Sequence, residues 1–71
     1  MTRLRNGAEV IRQIMTDTDG GVVLANTNGL SAHTYVTWRT NDRGDTFWGH
    51  YFMSLDEAHE DFEERAAKLR R

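Results

Sequence analysis

The chain contains no cysteine and no proline. Without thiols it has no disulfide framework, no iron–sulfur cluster, no zinc ribbon and no thiol nucleophile, and without proline it has no proline-rich linker. Long apolar runs are missing as well. No stretch approaches the roughly 20 residues that a membrane helix needs, and the first residues lack the apolar core of a signal peptide, so a cytoplasmic location and no membrane partner are the expectation. The sequence also lacks a phosphate-binding glycine loop, a Ser-His-Asp spacing and a carboxylate pair placed to flank a cleft. These absences point away from an enzyme, and no catalytic residue, cofactor or small-molecule substrate is indicated.

What is present is 71 residues with a formal net charge of −2, 38% hydrophobic and 28% charged, the balance of one small globular domain spanning 1–71. A domain of this size buries only about 60% of the surface its unfolded chain exposes, so its stability is marginal and self-association becomes relevant. The tryptophans, tyrosines and phenylalanines gather late in the chain.

Over residues 6–16, Ala8, Val10, Ile11, Ile14 and Met15 recur at helical spacing opposite Glu9, Arg12, Gln13 and Thr16, and Asn6 with Glu9 reads as a capping box. The pattern predicts a short N-terminal helix. Its alternative is an N-terminal strand that turns back at Asp19-Gly20 onto Val22-Val23-Leu24-Ala25. Residues 21–26 read as a short buried strand, and two runs rich in β-branched and aromatic residues, 34–40 and 45–53, flank Asn41-Asp42-Arg43-Gly44 and predict a hairpin. Ser54 with Glu57 forms a second capping box, opening a helix from Leu55 to about Leu69 with Leu55, Ala58, Phe62, Ala66 and Leu69 on one stripe. The expected fold is α+β, a three-stranded antiparallel β-meander packed against a C-terminal amphipathic helix.

Register decides which hairpin side chains share a face. A four-residue loop pairs Thr40 with Asp45, turning Val36, Trp38, Phe47, Gly49, Tyr51 and Met53 toward the helix. His33, Tyr35, Thr37, Arg39, Thr46, Trp48, His50 and Phe52 then face outward. This division puts a nearly all-apolar set inside and a mixed set outside. The competing register, a three-residue loop with Gly44 in a bulge, places Trp38 and Trp48 on one side.

Across residues 39–66, Arg39, Gly44, Trp48, Phe52, Glu57, Ala58, Phe62 and Ala66 fall in a pattern that resembles the second half of the AP2-type DNA-binding domain. That fold is shared with the arm-binding domain of tyrosine integrases. Two features depart from the family: Gly49 follows Trp48 by one residue rather than two, and residues 22–25 are apolar where the family's first strand is arginine-rich. The resemblance implies a sheet lying in the major groove with the helix on its back, and it implies Arg39, Thr46 and Trp48 on the nucleic-acid face.

The outward set yields the candidate binding residues Tyr35, Thr37, Arg39, Thr46, Trp48 and His50. Tyrosine and tryptophan on an open face suit a protein contact or a homodimer. Nucleic acid is the alternative, since aromatic side chains also stack bases, but the hairpin brings only Arg39 and Arg43 against phosphates unless Arg3, Arg5 and Arg12 lie alongside. On this register His33 and His50 are diagonal neighbours on the outward face; two ligands without a third do not make a metal site. The charges of the last helix, acids first and bases last, complement its dipole.

Overall fold

The structure is a computed structural model that describes residues 4, 7–16, 20–29, 31–41, 43 and 45–69. Asn6, Gly44, Arg3 and Arg5, invoked above as cap, bulge and basic residues, lie outside the described residues. Four strands, β1 (Glu9–Met15), β2 (Gly21–Asn26), β3 (Tyr35–Thr40) and β4 (Thr46–Phe52), precede one helix, α1 (Leu55–Leu69). The strands form one antiparallel sheet in the order β1-β2-β3-β4. The α+β class and the C-terminal helix match expectation. The sheet has four strands rather than three, because the N-terminal segment expected as a helix is β1.

A bulge explains the helical appearance of that segment. Val10 pairs with Ala25 and Arg12 with Leu24, leaving Ile11 as an extra residue in β1. One inserted residue shifts the phase of in/out alternation. Adjacent apolar residues Val10 and Ile11, followed by Ile14 and Met15, then mimic the i, i+1, i+4, i+5 spacing of a helix. The β1–β2 connection closes with the Thr16 backbone N–H and side-chain hydroxyl both donating to the Gly20 carbonyl, each at 2.8 Å. Gly20 adopts φ +74°, and a Cβ there would lie 2.0 Å from the Thr40 carbonyl oxygen, so a side chain is excluded on two grounds.

The β2–β3 connection is held by Asn26, whose Oδ1 accepts from the Asn28 N–H at 2.8 Å, and by Thr27, whose Oγ1 donates to the His33 carbonyl. The β3–β4 connection is organised by Asn41, whose Oδ1 accepts from the N–H groups of Arg43 and Asp45. This is the local work asparagine does in turns. The hairpin departs from both registers expected: Thr40 pairs with Thr46 and Arg39 with Phe47, while Thr37 pairs with His50. Trp38 therefore faces two residues, Trp48 and Gly49, across a bulge in β4.

Helix α1 packs its stripe on β2. Val22, Leu24, Ala58, Phe62 and Leu69 form one buried cluster, flanked by Ile14, Tyr35, Phe52 and Leu55. The other side of the sheet carries a second cluster of Ala8, Val23, Ala25, Val36 and Trp38, against which Leu4 and Val10 pack. Both faces of β2 are thus buried. The exposed face of α1 holds Asp56, Glu57, Glu60, Glu63, Glu64 and Lys68, as its sequence pattern implies. Among the described residues no helix is long and apolar enough to cross a membrane.

Phe62 is 1% exposed at the centre of the helix–sheet contact, with the Arg12 guanidinium 4.6 Å from its ring centroid. Phe62→Ala should cost about 3–5 kcal/mol, which is comparable with the total stability of so small a domain. Chemical denaturation checks this; a midpoint close to that of the unmodified chain would contradict the packing.

Candidate functional site

The face expected to be open is the face that α1 covers. Tyr35 and Phe52 join the helix-side cluster, and Thr37 is fully buried, its hydroxyl donating to Asp61 Oδ2 of α1. His50 Nδ1 lies 3.1 Å from both Asp61 oxygens. Thr46 pairs with Thr40 and so lies on the other face from Arg39, the partner of Phe47. Of the six candidate residues, Tyr35, Thr37, Arg39 and His50 are on the helix side, Thr46 is opposite, and Trp48 is 71% exposed at the edge. They do not form one continuous surface. His33 and His50 are likewise on opposite faces, since His33 stands against the ring of Tyr51 at 6.1 Å.

Asp61 is the polar hub beneath the helix. It accepts from Thr37, engages His50 and forms an ion pair with Arg65 Nε at 3.2 Å. In a nucleophilic triad the imidazole stands between hydroxyl and carboxylate. Here the carboxylate stands between Thr37 and His50, an arrangement that positions both rather than activating a nucleophile. Among the described residues no group of three or more histidine, cysteine, aspartate or glutamate side chains is placed to hold a metal ion.

Beside this hub, Arg39, Trp48, His50, Arg65 and Lys68 line a cleft of ≈ 300 Å³. The Arg65 side chain is 10% exposed and its Nη1 is buried without a hydrogen-bond partner. Burial pushes the Arg65 guanidinium below its ordinary value; Asp61 opposes that shift and the nearby positive charge of Arg39 adds to it. Sequence reading missed Arg65 and Asp61 as site residues because it assigned their pairing to the helix surface. The available signal was positional: Arg65 falls three residues after Phe62 and four before Leu69, on the buried stripe.

The β4 edge is the other distinctive feature. Among the described residues, five large hydrophobic side chains are exposed, and Trp48, Tyr51 (46%) and Met53 (66%) all lie on β4 or immediately after it. Tyr51 packs edge-on against Trp38, with ring centroids 6.3 Å apart. Neither β4 nor any strand position on the Trp38 side of the sheet carries a charged residue. No protein-family model, no curated protein and no solved structure matches the chain.

The bulge itself makes a discriminating prediction. Trp48 adopts φ 54°, a left-handed conformation that favours glycine, whereas a Cβ on Gly49 would lie 2.7 Å from Trp38 Nε1. Gly49→Ala should therefore cost about 1–3 kcal/mol by forcing the indole to move. Trp48→Gly should leave stability within about 1 kcal/mol, strain relief offsetting added chain entropy. Thermal melts of the two variants check the order; the reverse order would refute this bulge geometry.

Proposed function

We propose that the protein is a non-enzymatic binding module that associates with a second copy of itself through the β4 edge. The observation that carries this reading is the concentration of exposed apolar side chains on an edge strand without a single charged residue. An edge strand presents a row of backbone donors and acceptors that a further strand can satisfy, and natural edges are commonly guarded by charge. β4 has only the bulge at Trp48 as a guard, which leaves the run from Gly49 to Phe52 regular.

Antiparallel pairing of β4 with its copy is two-fold symmetric, so each Tyr51 and Met53 meets the same surface they belong to. The absence of charge on the strand means that two copies do not repel. The uncharged Trp38 side of the sheet also disfavours the DNA-binding alternative, because a sheet laid in the major groove needs cations for the phosphates. A contact of this size is smaller than a standard interface, so the dissociation constant should be roughly micromolar.

Sedimentation equilibrium tests the reading. Dimer should form over the micromolar range with little dependence on salt, and Tyr51→Lys should weaken it at least about tenfold by placing charge on the edge. A chain that stays monomeric to millimolar concentration would overturn the proposal.

A further inference from the structure

We propose that the cleft between β3, β4 and the C-terminal half of α1 binds the phosphate of a ring-bearing ligand of the nucleoside monophosphate class. Arg39, Arg65 and His50 would hold the phosphate and Trp48 would stack on the ring. The inference goes beyond self-association and uses the other side of β4, since Trp48 and His50 line the cleft while Tyr51 packs on Trp38.

Three observations converge on this cleft. The first is Arg65: its Nη1 is buried without a hydrogen-bond partner, although its Nε is paired with Asp61. A guanidinium donor removed from water with no acceptor is unfavourable, and an oxyanion entering the cleft supplies one. The second is the charge balance. Arg39, Arg65 and Lys68 line the cleft, facing two carboxylates on the same helix, Asp61 and Glu64. Asp61 is shared among Thr37, His50 and Arg65, and Glu64 meets Lys68 only in an exposed pair at 3.5 Å, which neutralises little. The excess is positive, and Arg39 and Arg65 lie close enough to repel. A phosphate, with close to two negative charges at neutral pH, offsets that repulsion.

The third observation is Trp48. A bulky residue with positive φ is a strained choice at a bulge where glycine would be relaxed, and strain of this kind concentrates at ligand sites. The conformation puts a largely exposed indole on the wall of the basic cleft, with Phe47 packed edge-on against it at 5.0 Å. Aromatic walls beside basic groups are the usual means of holding a base and its phosphate together. The volume, ≈ 300 Å³, is at the lower end for small-molecule sites.

Nitrogen-15 chemical-shift titrations of the full chain with adenosine monophosphate, adenosine and inorganic phosphate test the proposal. Adenosine monophosphate should saturably shift the Trp48 indole and the Arg39 and Arg65 side-chain signals, with adenosine at least about tenfold weaker. Arg65→Lys, which keeps charge but loses the planar fork, should weaken binding roughly tenfold, as should Arg39→Gln. Trp48→Ala should weaken adenosine monophosphate while leaving inorganic phosphate unchanged. Tyr51→Lys should leave nucleotide binding intact, which separates this site from the β4 edge. Should Arg65→Lys fail to fold, Arg39→Gln and Trp48→Ala carry the test. The proposal is overturned if the cleft signals do not move, or if Arg39→Gln and Trp48→Ala both leave the affinity for adenosine monophosphate unchanged.

Discussion

Asp61 accepts or pairs with three groups from three elements: Thr37 of β3, His50 of β4 and Arg65 of its own helix. Thr37 is fully buried, so its hydroxyl needs an acceptor inside the protein. The carboxylate that supplies it also offsets the charge of Arg65, which is itself nearly out of water. The apolar contact of Phe62 with Val22 and Leu24 drives α1 onto the sheet, and the polar hub fixes where along the sheet it rests. That position determines what is left accessible. It covers Tyr35 and Thr37, sets Arg39 and Arg65 side by side, and leaves β4 as an edge.

The bulge in β4 follows from the other face. Trp38 lies against Gly49, where no Cβ fits, and Trp48 takes up the extra residue in a left-handed conformation. The same irregularity therefore has two consequences of opposite character. It seats a buried indole in the second cluster, and it turns an exposed indole toward the basic cleft. Beyond the bulge the strand is regular and uncharged, the part proposed to pair with a copy.

Much of the architecture was legible in the residues. The stripe of α1, its cap at Ser54, the hairpin of β3 and β4 and the strand at 21–26 all follow from spacing and turn chemistry. Two features were hidden for physical reasons. The bulge at Ile11 broke alternation in β1 and let a strand imitate a helix. β2 is apolar on both faces, so Val22 and Leu24 were as eligible for the helix as Val23 and Ala25, and pattern alone did not decide between them. Polarity misled in the hairpin for a related reason. Thr37, Arg39 and His50 read as solvent-facing, yet the helix brings its own polar partners, Asp61 among them, and buries that mixed face. The cleft depends on this choice, which is why its residues were individually noticed in part but not assembled.

The account rests on which face of the sheet receives α1, and proton–proton nuclear Overhauser contacts from the Phe62 ring measure that directly. Contacts to the methyl groups of Val22 and Leu24, with none to the Trp38 indole or to Val23, are the predicted result. Contacts from Phe62 to Trp38 and Val23 would place the helix on the opposite face and contradict the hub and the cleft together.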